Sequence, residues 1–274
     1  MESEQTLAGW HADTPVAPAS NMKLITTAAA VDMLGQDFTY ETLIGLYQQD
    51  LVVIGAGDPL TGDPEFTQQR GEDYDAIMQL VVEVLKTRGI ERIEGNLIVD
   101  AGIFDDERYH PSWSASEANK RYAAQVAGLN FRGNCIGVHC SPKAPGEAPE
   151  VRLIPDTRYV TIRNEARSRR TGDNTIWVAR PAGNELIIKG ACRTEVDADV
   201  ALDRPGAYFG FVLAEYLSRQ GVPVQGRLIV GSLRDAQGAL PKGFDVLVRE
   251  RTPLVNVLGR CNTCLLYTSP SPRD

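Results

Sequence analysis

At 274 residues the chain is long enough for roughly two or three compact units. With 43% hydrophobic residues and a mean hydropathy of −0.21 it can bury cores, and no apolar run approaches membrane-spanning length. A formal net charge of −8 and a pI near 5.1 argue against a nucleic-acid partner.

The stretch Met1 to Pro18 is polar and carries neither a basic segment nor an apolar one behind it, so no signal peptide is read there. Next, Leu24, Ile25, Ala28, Val31 and Leu34 recur at helical spacing and predict a helix with those residues facing the interior and Gly35 as its stop. Thr39 to Ile54 reads as a hairpin-like pair of strands closed by Gly55-Ala56-Gly57-Asp58-Pro59. A second helix is predicted over about Asp73 to Arg88, with Ile77, Leu80, Val81, Val84 and Leu85 on one stripe and Gly89 as C-cap. Short β-branched runs follow at Leu97 to Val99, Ile136 to His139, Val151 to Ile154, Tyr159 to Arg163, Thr175 to Ala179 and Leu186 to Lys189. A third helix is predicted from Pro205 to about Gln220, with Gly221 after its last turn. The cluster Arg163, Arg167, Arg169 and Arg170 before Gly172-Asp173 reads as a solvated hairpin tip.

Cys135, Cys140, Cys192 and Cys261 show no paired Cys-x-x-Cys spacing, which speaks against zinc. On a strand, Cys135, Gly137 and His139 share one face and Cys140 points to the other, so packed side chains are expected there rather than a metal site. No metal or other cofactor is expected.

The chemistry is concentrated in Pro18-Ala19-Ser20-Asn21-Met22-Lys23. This is the chain's only Ser-x-x-Lys, and it opens the first apolar helix. An i, i+3 pair shares a helix face, so the Lys23 amine can reach the Ser20 hydroxyl, and a serine in the first turn feels the positive end of the helix dipole. A neutral Lys23 would take the Ser20 proton and leave a nucleophile. The candidate catalytic residues are therefore Ser20 as nucleophile and Lys23 as general base.

The block Pro18 to Gly35 resembles the nucleophile helix of the penicillin-binding protein 4 family of D-Ala-D-Ala carboxypeptidase/endopeptidases, the class C low-molecular-mass penicillin-binding proteins. Further similar runs follow in the same order: Gly55 to Pro59, Gly89 to Asp100, Phe104-Asp105, Pro111-Ser112-Trp113, Ala127-Gly128-Leu129-Asn130-Phe131 with Asn134-Cys135, and Tyr208-Phe209 leading toward Gly221-Val222. The resemblance covers about Thr14 to Thr263.

It implies a multidomain α/β and β fold, in which an incomplete transpeptidase/β-lactamase-like α/β domain is interrupted by largely β inserted domains. The expected parts are 1–40 with 241–263 for the partial transpeptidase-like domain, 41–65 with 150–240 for a second domain, and 66–149 for a third. The implied activity is a serine-type carboxypeptidase acting on peptidoglycan stem peptides, with β-lactams acylating the same serine, in the periplasm or cell envelope. An exported protein also allows a Cys135–Cys192 disulfide, with the pairing left open. The oligomeric state is left open too.

Two departures matter. The family's Ser-x-Asn and Lys-Thr-Gly motifs occur nowhere in these 274 residues, so the substrate-binding residues are unassigned and this stretch alone is expected to be inactive. Some family members carry an aspartate, near the segment matching Asn130 to Asn134, for the amine of diaminopimelate; this chain has Arg132 and no acid there. The last eleven residues, Cys264 to Asp274, show no helix or strand period and resemble the translation of a transposase-based sequencing adapter, so they are set aside and the chain is expected to be a fragment. Two other classes stay open: a non-catalytic wall-binding or scaffold protein, and another Ser-x-x-Lys hydrolase such as a β-lactamase or esterase.

Overall fold

The computed structural model describes residues 13–267 except positions 16, 18, 112, 182 and 236, and only the backbone of 264–267. In chain order the elements are helix α1 (Met22–Leu34), strands β1 (Thr39–Tyr47) and β2 (Asp50–Ile54), helices α2 (Pro64–Gln69) and α3 (Ala76–Thr87), and strand β3 (Leu97–Asp100). Then come β4 (Cys135–Ser141), β5 (Glu150–Ile154), β6 (Thr161–Asn164), β7 (Arg167–Ser168), β8 (Trp177–Ala179), β9 (Glu185–Lys189), β10 (Ala191–Cys192) and β11 (Val196–Ala201). Helix α4 (Pro205–Arg219), strands β12 (Leu228–Val230) and β13 (Asp245–Pro253), and helix α5 (Leu254–Tyr267) complete the order. The chain divides into two compact units, Met1–Phe38 with Leu254–Asp274, and Thr39–Pro253.

The larger unit is built on a five-stranded sheet in the order β12-β3-β2-β1-β13. β1 pairs antiparallel with β2 and β13, whereas β2–β3 and β3–β12 are parallel. The sheet crosses the 65/66 boundary drawn from the resemblance, since β3 pairs directly with β2. β2 is the central strand, and Leu51, Val52, Val53 and Ile54 are all fully buried because both faces of the sheet are covered. Its alternation sorts them: Leu51 and Val53 join the main core, while Val52 and Ile54 pack on the other side with Leu43 and Phe244.

Helices α3 and α4 cover the main-core face. The buried stripe of α3 is Ile77, Met78, Val81, Val82 and Leu85, and it replaces the expected one: Leu80 is 41% exposed and Val84 is only half-buried. The helix is rotated toward Met78 and Val82, which a run apolar at nearly every position cannot specify. Its end follows the expectation, with Gly89 at φ +70 and the Ile90 N–H bonded to the Leu85 carbonyl at 2.9 Å. Helix α4 approaches the sheet closely through Gly210, where a Cβ would lie 2.5 Å from Leu228 and 2.8 Å from Val99.

Three smaller sheets complete this unit: β11-β4-β5, β6-β9-β8, and the two-residue parallel pair β10-β7. The arginine cluster does not sit on a hairpin. β6 pairs in parallel with β9, and β8 pairs antiparallel with the same strand, so 169–176 is a connection between β7 and β8. Arg163 is engaged by Glu165 and Glu185 at 3.2 and 3.7 Å.

Several of the runs that carried the family resemblance beyond Gly35 meet in this unit. The Gly57 N–H donates to the Gly128 carbonyl at 2.6 Å, and a Cβ on Gly55 would lie 2.2 Å from that same oxygen. Asn130 Nδ2 donates to the Asp58 and Ala127 carbonyls at 3.1 and 3.0 Å, and Asn134 Nδ2 donates to Asn130 Oδ1 at 2.7 Å. Phe131 stacks against Phe209 and Tyr208 with ring centroids 5.5 and 5.6 Å apart. Fully buried Asp100 accepts the N–H groups of Gly102, Leu233 and Arg234 at 3.0, 2.9 and 3.3 Å, which fastens the 231–234 loop to the end of β3.

The smaller unit contains α1 and α5, joined at their bases by the Leu254 N–H, which donates to the Phe38 carbonyl at 2.8 Å. No α1 residue is buried, contrary to the expectation that Leu24, Ile25, Val31 and Leu34 face an interior: these four are 64, 63, 41 and 47% exposed. A helix apolar on nearly all sides needs cover all round, and the neighbouring α5 can shield only one side. The α5 backbone stays helical through Cys264–Tyr267, a stretch with no expected helical period. Leucine is a strong helix former, and a helix already nucleated extends at little cost. Residues 268–274 of the adapter-like tail lie outside the described residues, as does Pro18.

Candidate functional site

Ser20 lies in a single 3-10 turn, Ala19–Asn21, that leads directly into α1. Its side chain is exposed, and Lys23, three residues on, is half-buried. The two candidate residues are thus brought to the start of one helix. Among the described residues no hydrogen bond joins them. Lys23 Nζ instead donates to the Cys261 carbonyl of α5 at 3.3 Å. A lysine next to an uncovered serine gains more from a fixed carbonyl than from a hydroxyl that water already solvates. Gly35, with φ +82 and its N–H on the Val31 carbonyl, ends the helix as expected.

Arg132, the residue standing where an acid was considered, is 8% exposed and turned inward. Its guanidinium lies 5.0 Å from the centre of the Tyr74 ring, and its backbone N–H donates to the Thr61 carbonyl at 3.0 Å. Arg132, Gly133 and Asn134 all have positive φ, at 52, 62 and 58°, a left-handed turn that the buried Asn134 side chain holds by accepting the Phe131 N–H at 3.1 Å. Arg132 is therefore a packing residue of the larger unit.

His139 shares both ring nitrogens within one sheet, Nδ1 with Asp197 at 2.7 Å and Nε2 with Ser141 at 3.0 Å. Cys140 points to the opposite, buried face. Among the described residues no three His, Cys, Asp or Glu side chains gather as metal ligands, and no helix is long and apolar enough to cross a membrane. All four described cysteines are free. Cys135 Sγ faces the Gly133 carbonyl at 3.3 Å, so the Cys135–Cys192 pairing is absent, because Cys192 lies against Cys140 instead.

Asp58, from the Gly55 to Pro59 run, is a buried acid with a structural part. Its Oδ1 accepts the Leu60 N–H at 2.8 Å, and its Oδ2 accepts the Thr252 hydroxyl at 2.5 Å, tying the β2–α2 loop to β13. Burial raises its carboxyl above the ordinary range, and the Thr252 and Leu60 donors only partly offset this. A raised native value means that the neutral form contributes stability below the unfolded value, and that this contribution is lost as pH rises through the native one. Asp58→Asn, which mimics the neutral acid, is expected to match the parent below about pH 4 and to be the more stable protein at pH 7. Thermal melts of both proteins across this range check it.

The chain matches the D-Ala-D-Ala carboxypeptidase 3 (S13) family over residues 1–261. It is 31% identical over 235 residues to a D-alanyl-D-alanine carboxypeptidase of Actinomadura sp. (strain R39), covering 79% of this chain and 41% of that protein. Against the D-alanyl-D-alanine carboxypeptidase DacB of Haemophilus influenzae it is 23% identical over 249 residues, covering 84% of this chain and 48% of the other. The crystal structure of penicillin binding protein 4 (dacB) from Haemophilus influenzae shares the fold with a TM-score of 0.65 at 21% identity, over 89% of this chain and 53% of that one. The chain thus spans less than half the length of these curated relatives. A match that runs through both the nucleophile segment and the interlocked loops of the larger unit leaves one conclusion: the chain belongs to the D-Ala-D-Ala carboxypeptidase 3 (S13) family.

Proposed function

We propose that this chain carries the nucleophile segment of a serine-type D-alanyl-D-alanine carboxypeptidase/endopeptidase of the cell envelope. Ser20 Oγ attacks the carbonyl of the penultimate D-alanine of a peptidoglycan stem peptide, and Lys23 takes the hydroxyl proton. The C–N bond breaks, D-alanine leaves with that proton, and water releases the acyl group from Ser20. β-Lactams acylate the same oxygen. The observation that carries this reading is the position of the chain's single Ser-x-x-Lys: an exposed serine in the turn that opens α1, with its lysine in the first turn of that helix. Family membership supports it.

In this reading the two chain ends, expected near 1–40 and 241–263 and meeting here as 1–38 and the stretch from 254, belong to a transpeptidase-like domain, and 39–253, whose five-stranded sheet includes β13 and spans the expected second and third domains, is inserted between them. Partners are stem peptides and β-lactams; the acidic balance of the chain supports no nucleic-acid partner.

The 274 residues contain neither Ser-x-Asn nor Lys-Thr-Gly. Loss of one oxyanion donor costs about 10²–10³ in rate. Produced by itself, the chain is expected to take up a fluorescent penicillin at least about 10²-fold more slowly than a protein in which residues 1–263 continue into natural sequence bearing both motifs. In-gel fluorescence over time measures this. Equal rates would sink the assignment of the remaining machinery to those motifs.

A further inference from the structure

Cys140 lies within β4, held on one side by Val196 of β11 and on the other by Val151 of β5. Cys192 lies in β10, beside Ser168 of β7. Both side chains belong to the main core and are no more than 1% exposed. Cys192 Sγ is 3.9 Å from the Cys140 carbonyl oxygen, an atom only three covalent bonds from the Cys140 Cβ. Cys192 Sγ also faces the Thr194 carbonyl at 3.3 Å, so this thiol sits between Thr194 and the Cys140 backbone in the core. Cys135 is five residues from Cys140 on the same strand, hence on the opposite face, with its sulfur turned to Gly133.

We propose that Cys140 and Cys192 form a disulfide when the protein folds in an oxidising compartment. The two thiols give up two protons and two electrons as the S–S bond forms, and a protein or low-molecular-mass disulfide accepts them and is reduced to two thiols. The bond joins the β11-β4-β5 sheet to the two-residue β10-β7 pair, the smallest sheet of the unit. It closes the loop from 140 to 192 that carries β5 to β10, so it restricts the unfolded chain where native pairing is weakest. Burial, with Cys192 nearby, raises the Cys140 thiol to about 11. The folded, reduced protein therefore holds little thiolate, and the bond forms during folding.

The compartment rests on the cell-envelope location proposed above; the pairing is tested without it. The 274-residue protein is reduced, denatured and refolded in a mixture of reduced and oxidised glutathione, then alkylated with iodoacetamide, digested without reductant and mapped by mass spectrometry. The expected result is a peptide pair linked through Cys140 and Cys192, with Cys135 and Cys261 alkylated. Dithiothreitol then lowers the melting temperature by about 5–15 °C, and has no such effect on Cys192→Ser. Quantitative alkylation of both Cys140 and Cys192 after refolding, or a link from Cys192 to Cys135, overturns the proposal.

Discussion

Ser20→Ala, in a protein that carries this chain together with Ser-x-Asn and Lys-Thr-Gly motifs, is expected to lower D-alanine release by at least about 10³-fold. The change removes one oxygen from an exposed turn that buries nothing, so the melting temperature should stay within a degree or so of the parent's. Lys23→Ala should cost nearly as much in kcat, because without the amine the hydroxyl keeps its proton. Its side effect on folding is small, since Lys23 Nζ contributes a half-buried bond to the Cys261 carbonyl. Groups that act as a unit fail together, so the double variant should lie within about tenfold of either single one. A Lys23→Ala protein releasing D-alanine at close to the parental rate would show that another group takes the proton.

Asp100→Ala is the substitution expected to harm the fold most. The carboxylate is wholly buried and accepts three backbone N–H groups, with the Ser232 hydroxyl at 3.3 Å and an Arg234 nitrogen at 4.0 Å besides. Removing it orphans those donors in a place water cannot easily enter, and it leaves the Arg234 charge without its nearest acid. Unpaired buried donors and a broken buried ion pair each belong to the costly class of mutations, and about 3–5 kcal/mol is expected. The loss should appear in urea denaturation as a lower midpoint at unchanged slope. A change under about 1 kcal/mol would mean that the 231–234 loop is not held through Asp100.

Much of the local structure was legible in the sequence. Gly35, Gly89 and Gly221 mark the ends of α1, α3 and α4 because a left-handed residue closes a helix most easily when it has no side chain. The β1–β2 pair follows from its β-branched and aromatic run. The order of the strands was not legible: the β2–β3 and β3–β12 pairings are parallel and join residues far apart in the chain, and no local pattern encodes them. α2, β11, β12 and β13 were also missed, being too short or too polar to stand out by periodicity.

The site divides the same way. The Ser20–Lys23 spacing is a local fact and was legible, whereas the carbonyl that holds Lys23 comes from Cys261, far along the chain. Arg132 offered only a charge at an interesting place. Its burial depends on Tyr74 and a left-handed turn, both invisible to composition. The Gly55 to Pro59, Ala127 to Phe131 and Tyr208-Phe209 runs are bland one at a time. They belong together because Gly128, Asn130 and Phe131 touch the other two. The Cys135–Cys192 pairing failed for a related reason: the fold, not the spacing, puts Cys192 Sγ 3.9 Å from the Cys140 carbonyl and turns Cys135 toward Gly133, with all the described cysteines free.

The central claim is that Ser20 is the acylated residue. Its most direct test is to trap the motif-bearing protein with a β-lactam, digest it and locate the covalent adduct by mass spectrometry. The predicted result is a stoichiometric adduct on the peptide containing Ser20, lost in Ser20→Ala. An adduct on any other serine, or one that survives Ser20→Ala, would contradict it.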